Sequence, residues 1–271
     1  MRKSLSIAGS DCSGGAGIQA DLKTFSAHGI YGMTVITSVV AENTYRVTDY
    51  QDVRPDMIEK QIDDVFEDIV PDATKIGMLS CRDTMLAVAG KLRKWKPKNI
   101  VVDPVMYAKN GSALMEELAI STLIAEIVPF ADLITPNIPE AEKMTQKVIK
   151  THDDMRQAAR LIHAMGCKAV VVKGGHSEGD AVDILFDGEA FYDFPAPRVV
   201  TKHTHGTGCT FSSAIASNLA LGLPINKAVE KAKAYINDAI SHSPKLGKGN
   251  GPTHHFYQMY KSYFGACLKN L

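Results

Sequence analysis

Thr74 to Asp103 reads TKIGMLSCRDTMLAVAGKLRKWKPKNIVVD, and this stretch decides the fold. It opens on Thr74-Lys75-Ile76-Gly77 and closes on the β-branched run Ile100-Val101-Val102-Asp103, both of strand type. Between them a helix is predicted near Thr84–Trp95. Strand, helix and strand make one βαβ unit, which calls for a parallel sheet. Outward from it the same alternation continues. On the N-terminal side lie strand Ser4–Ala8, helix Gln19–Ala27, strand Met33–Val40 and a helix over Pro55–Ile69. On the other side come a helix near Leu114–Ile127, strand Asp132–Ile134, helices near Pro139–Thr145 and Asp153–Met165, and strand Ala169–Val172. Ala181–Phe186 and Ala190–Phe194 flank Asp187-Gly188, a hairpin signal. Helices over Thr207–Leu221 and Pro224–Ser241 close the chain. The expectation is an α/β protein with a mostly parallel central sheet covered by helices on both faces.

No composition shift, linker or repeat interrupts residues 1–271, so one domain is expected. Thirty basic residues balance thirty acidic ones, which leaves no global field to gather nucleic acid or an acidic membrane. The apolar residues between Met1-Arg2-Lys3 and Gly9 are too few for a signal-peptide core, and no later segment is long enough to span a membrane. Five scattered cysteines argue against a disulfide framework, so a cytoplasmic protein is expected.

In a sheet of this kind ligands bind beyond the carboxyl ends of the strands. Asp11, Glu42, Met78, Asp103, Asn137 and Lys173 all fall at that rim. His205-Gly206-Thr207-Gly208-Cys209 precedes a helix with Phe211, Ala214, Ile215 and Leu219 on one face. A helix start among small residues offers unpaired N–H groups and a positive dipole end, which suits a transferring phosphoryl group. It also suits an ordinary glycine-rich turn. Cys209 in that first turn reads as a thiol of lowered pKa, acting as a base or as a nucleophile, or as an inert buried thiol.

The loop Gly9–Gly17 lacks the spacing of a dinucleotide or P-loop motif, yet it brings backbone and Asp11 near a small ligand. Lys173-Gly174-Gly175-His176 follows a strand, where the lysine is either a phosphate contact or a solvated turn residue. Asn137 caps a helix with Glu140, or the same oxygens hold waters around Mg²⁺, with Asp103 as a further magnesium carboxylate. His203, His205 and Cys209 do not form a recognised zinc spacing.

Taken together, IAGSDCSGGAGIQADLKTF (7–25), VAENT (40–44), KIGML (75–79), DPVM (103–106), TPNIPEAE (135–142), KGGH (173–176), KHTHGTGCTF (202–211) and GKGNGPTHHF (247–256) resemble the hydroxymethylpyrimidine and phosphomethylpyrimidine kinases of thiamine biosynthesis. These belong to the ribokinase-like superfamily. The resemblance implies a ribokinase-like three-layer sandwich and two successive ATP-dependent phosphorylations, of the pyrimidine alcohol and of its monophosphate.

It further implies an anion hole at Gly206, Thr207, Gly208 and Cys209, with Cys209 where many ribokinase-like enzymes carry a catalytic aspartate. Gly9, Ala16, Val40, Met78 and Val105 would line the pyrimidine pocket, alongside Asp11. Lys173, Asn137, Glu140, Asp103 and Lys233 would face ATP and Mg²⁺, and the family tends to form homodimers. Where the familiar pattern has glutamine, this chain has Glu42, which when ionised only accepts hydrogen bonds. Pyridoxal kinase activity, alone or as a second activity, is the neighbouring alternative.

Overall fold

The structure, a computed structural model, describes residues 1–107, 111, 114–116, 118–175 and 181–265. His176 of the KGGH segment and part of the 114–127 stretch lie outside them. The chain runs β1 (Lys3–Asp11), α1 (Gly17–Ala27), β2 (Tyr31–Asn43), β3 (Arg46–Asp52), α2 (Pro55–Asp68), β4 (Ala73–Ile76), α3 (Arg82–Trp95), β5 (Ile100–Val102), α4 (Ala119–Thr122), β6 (Leu133–Ile134), α5 (Ile138–Thr145), α6 (His152–His163), β7 (Val170–Val172), β8 (Asp183–Phe186), β9 (Phe191–Phe194), α7 (Thr207–Ala220), α8 (Ile225–Ser241) and α9 (Tyr257–Phe264).

All nine strands form one sheet, ordered β3-β2-β1-β4-β5-β6-β7-β8-β9. From β2 to β7 every pairing is parallel. At the two edges β3, β8 and β9 are antiparallel. The short central strands are buried on both faces, so successive residues feed opposite cores. Leu5, Ile7, Ile76 and Val102 pack against Ile58 and Ile62 of α2, Val88 and Leu92 of α3, and Met155 and Ile162 of α6. Val101, Leu133 and Val171 face the other way, onto Phe25, Phe211, Ile215, Val229 and Ile236 from α1, α7 and α8. Helices therefore cover both faces of the sheet, as the alternation predicts.

Three elements depart from the expectation. The helix predicted near Leu114 begins at Ala119, because Leu114 is held by its N–H to the Met106 carbonyl and packs beside Val40 and Met78. It then continues as a π turn over Leu123–Ile127 and a 3₁₀ turn over Val128–Phe130. Strand β3 and helix α9 are additions. Both are mostly exposed, so neither carries a buried stripe that periodicity detects. Among the described residues no helix is long and apolar enough to cross a membrane.

Candidate active site

Strand β1 lies between β2 and β4, so the chain leaves it first to one side and later to the other. That switch point opens a crevice at the carboxyl ends of the strands. A cleft of about 860 Å³ occupies it, bordered among others by Ala16, Glu42, Asp103, Lys173, Cys209 and Lys233.

Helix α7 starts there with no side-chain cap, so its first turn keeps donors for a ligand. Gly206 precedes it at φ 74, in the left-handed region, and a Cβ on Gly206 would lie 1.7 Å from the Gly15 carbonyl oxygen. Only glycine lets the two loops touch in this way. Gly208 faces the strand ends, where an added Cβ would lie 3.1 Å from Asp103 Oδ2 and 3.5 Å from Lys173 Nζ. The first turn of α7, Asp103 and Lys173 thus meet at Gly208.

Lys173 Nζ donates to Asp103 Oδ1 at 2.8 Å and lies 4.0 Å from Glu140 Oε2. Burial alone would strip its proton, but the two carboxylates hold its pKa above the usual lysine value. Glu140 is buried at the same spot. Burial raises it and Lys173 lowers it, while Asp103 repels it, leaving a pKa of about 7. Asn137 and Glu140 form the capping box of α5: Glu140 N–H donates to Asn137 Oδ1 at 2.9 Å, and Asn137 N–H to Glu140 Oε2 at 2.8 Å.

On the opposite wall, Asp11, Glu42 and His205 bring their polar atoms within 4.8 Å of one another. Asp11 accepts N–H bonds from Ser13 at 2.7 Å, Gly15 at 2.9 Å and Ala16 at 2.7 Å, and pairs with His205 Nε2 at 2.8 Å. Burial would raise its carboxyl, but His205 and these donors outweigh that and hold it at about 2. Glu42 has the reverse balance. Burial and repulsion from Asp11 push it up to about 7, against the pull of His205.

Cys209 receives the Gly17 N–H on its sulfur and lies near Lys75, which favours the thiolate. Burial and the charges of Asp21 and Asp103 nevertheless push the thiol up to about 12. Of the readings the sequence leaves open for this thiol, the helix start favours a lowered pKa, but burial outweighs it.

A model of the phosphomethylpyrimidine kinase family matches residues 11–254. The chain belongs to that family. It is 49% identical to a hydroxymethylpyrimidine/phosphomethylpyrimidine kinase of Rhizobium meliloti over 95% of this chain and 98% of that one. It is 50% identical to the thiamine biosynthesis bifunctional protein ThiED of Geobacter sulfurreducens over 93% of this chain, and spans about half (51%) of that longer protein. Among solved structures it is similar to an ADP complex of Bacillus subtilis pyridoxal kinase, with 40% identity, a TM-score of 0.90, and coverage of 96% and 99% of the two chains.

Within this family member the residues read from sequence divide into three groups. Ala16, Glu42, Asp103, Val105, Asn137, Glu140, Lys173, Gly206, Thr207, Gly208, Cys209 and Lys233 all border the cleft. Val40 and Met78 stand behind Val105 and Leu114 in an apolar cluster, with Gly9 against the Met78 sulfur. Asp11 stands outside the cleft lining, and Lys233, which borders the cleft, is paired within the protein. The Asp11 carboxylate is spent on its own loop and on His205, so it shapes the wall rather than reaching into the cleft. Lys233 Nζ is held by Asp183 Oδ2 at 2.8 Å and the Ala181 carbonyl at 2.9 Å, which neutralises its charge.

Sequence reasoning missed Asp183, whose carboxylate also accepts the Gly174 N–H at 2.9 Å, and the role of His205 as Asp11's partner. It also missed Lys75 and Asp21. Such partners lie 50, 194 and 54 residues apart, so spacing carries no signal for them. The glycines of the 247–256 tail pack on Thr44 and His203, which bind the tail to the turn between β2 and β3 and to the loop before α7. His203 Nδ1 accepts the Gly251 N–H at 3.2 Å there.

Proposed function

We propose that this chain transfers the γ-phosphoryl group of ATP to the hydroxymethyl oxygen of 4-amino-5-hydroxymethyl-2-methylpyrimidine, and a second one to the resulting monophosphate, in thiamine biosynthesis. One observation carries the reading. In a chain of this kinase family, the uncapped start of α7 faces the Lys173–Asp103 pair across a cleft with an apolar back wall. The polar side fits triphosphate, and the Val105–Leu114 wall fits a flat methylated ring better than a sugar.

The alcohol oxygen forms a bond to the γ-phosphorus as the bond to the bridging oxygen breaks and ADP leaves. Charge on the transferred group is met by the first-turn N–H groups of α7 and by Lys173. The substrate's hydroxyl proton passes to Cys209 Sγ, which must be the thiolate to accept it. Burial opposes that form, while Lys75 and the Gly17 N–H favour it. Asp103 and Glu140 offer two buried hard oxygens at the cleft, the donor type Mg²⁺ prefers, and would hold it there. When bound there it would neutralise phosphate charge.

The purified protein, given the pyrimidine alcohol and ATP, should release ADP and form a mono- and then a diphosphate, read by mass. ATP turnover on neither pyrimidine would sink the reading. A second reading, pyridoxal phosphorylation, is favoured by the likeness to the Bacillus subtilis pyridoxal kinase. Comparing kcat/KM on pyridoxal and on the pyrimidine separates the two.

A further inference from the structure

Beneath the anion hole lies an ion pair that the reaction described so far does not use. Lys75 of β4 and Asp21 of α1 are both fully buried, with Nζ 2.9 Å from Asp21 Oδ2. Asp21 also accepts from Ser6 Oγ at 2.5 Å and from Ser213 Oγ at 2.7 Å. Ser213 lies four residues after Cys209 on α7, and Asp21 four residues after Gly17 on α1. The two helices are therefore joined at two levels about 6 Å apart, one helical turn. The upper joint is Gly17 N–H to Cys209 Sγ, and the lower is Ser213 to Asp21.

Lys75 enters from the sheet side. A side chain on Gly77, two residues further along, would lie 2.6 Å from its Nζ. Asp21 is the one hydrogen-bond partner of this ammonium among the described residues. Burial opposes its charge and Asp21 restores it, with Cys209 and Asp103 adding to the attraction. A buried ion pair is weak grounds for stability, since apolar residues of similar volume often serve as well. A lysine here calls for another reason.

We propose that Lys75 is a positioning residue of the anion hole: its ammonium, fixed by Asp21 under the first turn of α7, stabilises negative charge on the Cys209 sulfur and on the phosphoryl group above it. The inference rests on the reading of Cys209 as the group that takes the substrate's proton. The charged groups around that sulfur are Lys75 and Lys173, which favour negative charge, and Asp21 and Asp103, which oppose it. Lys173 acts from the cleft and Lys75 from inside the protein, so Lys75 touches no substrate. Removing it should lower kcat while leaving substrate affinity in place.

The double variant Lys75→Met/Asp21→Asn removes both charges and leaves no lone buried ion. It is expected to unfold cooperatively and to keep KM for ATP and the alcohol within about twofold. Its kcat should fall roughly tenfold or more. Alkylation of Cys209 by iodoacetamide at pH 8.5, without substrate, should slow about tenfold because thiolate is the reacting form. The rate is followed on the Cys209 peptide by mass, because Cys12 is exposed and Cys81 partly so. A folded double variant with kcat and alkylation within twofold of the parent overturns the proposal.

If that variant does not fold, Asp21→Asn alone decides: a buried Lys75 without its counter-charge gives up its proton, so the positive charge beneath Cys209 is lost while the side chain at 75 is kept. Cys209 alkylation should then slow about tenfold, and an unchanged or faster rate overturns the proposal. Alkylation is read on the resting protein, so it reports on Lys75 even if Cys209→Ala keeps full turnover and removes the base reading.

Discussion

Replacing Glu42 with glutamine tests how the site recognises its ring. Glu42 borders the cleft with its carboxyl pushed from 4.5 to about 7 by burial and by Asp11. A carboxyl at that value shares one proton readily with a ring nitrogen while its second oxygen accepts from the exocyclic amine. Above pH 7 the shared proton is lost. If binding needs it, the dissociation constant of the pyrimidine alcohol rises about thirtyfold between pH 6 and pH 8.5, as a single titration at 7 dictates.

Glu42→Gln has no such proton and should give a flat profile over that range. Folding supplies an independent reading. A carboxyl raised on folding supports the fold below its unfolded pKa of 4.5, and that support is lost as pH climbs through about 7. A carboxyl moved from 4.5 to about 7 is worth about 3 kcal/mol at most, so Glu42→Gln should stabilise the protein at pH 8.5 and leave it little changed at pH 4.5. Calorimetric titration with the alcohol in the absence of ATP, beside thermal melts at the two pH values, measures both. Parallel binding profiles for parent and variant would remove Glu42 from ring recognition, and equal melts at pH 8.5 would show that its charge is not strained.

Cys209→Ala should lower kcat on the alcohol by about 10²–10⁴-fold with the fold intact. The second reaction should suffer far less, because a phosphate oxygen is already ionised and needs no base; equal losses in both steps would refute the base assignment. Asp11→Asn should destabilise the protein by about 2 kcal/mol at pH 7, from a carboxyl lowered from 3.8 to about 2. That difference should vanish as pH falls through about 2, and a pH-independent difference would show that charge is not the cause. Gly206→Ala combines a left-handed backbone with a clash on the Gly15 carbonyl, so a loss of at least about 2 kcal/mol in denaturant melts is expected. A neutral result would mean the two loops separate freely.

Much of the fold is legible in the chain because its central strands are short β-branched runs buried on both faces. Ile100–Val102 and Val170–Val172 signal themselves without any partner in view. Strand β3, RVTDYQD, does not, since it buries no face and exists through pairing with β2. At the site, backbone-driven features are legible: the helix start at Thr207, the Asn137–Glu140 cap, and the placement of Asp103 and Lys173 at strand ends. What a carboxylate or ammonium does once placed there is set by partners far away in sequence. Asp11 looked like a ligand group and is instead taken up by three N–H groups of its own loop and a histidine nearly the whole chain away. For Cys209 the sequence leaves an activated and an inert thiol open, and only the buried surroundings, set by distant residues, push the thiol pKa up against the pull of the helix start.

Three lysine–aspartate pairs with both side chains largely buried gather around the cleft: Lys75–Asp21, Lys173–Asp103 and Lys233–Asp183. Desolvating six charges opposes folding, and apolar residues would fill the same volume at no such penalty. Their distribution supplies the reason. Lys173 comes from the strand-end side and Lys233 from α8, both at the cleft, while Lys75 stands below the first turn of α7. A loose transition state spreads negative charge over three oxygens, and fixed charges that need no reorganisation stabilise it best. Asp21 and Asp103 hold Lys75 and Lys173 protonated before an anionic ligand arrives, which an unpaired buried lysine would not manage, and Asp183 fixes Lys233 Nζ in place at 2.8 Å. Asp21, which reaches neither the cleft nor any ligand, is the clearest case: neutralising it is expected to perturb turnover through Lys75 rather than through direct contact with the substrate.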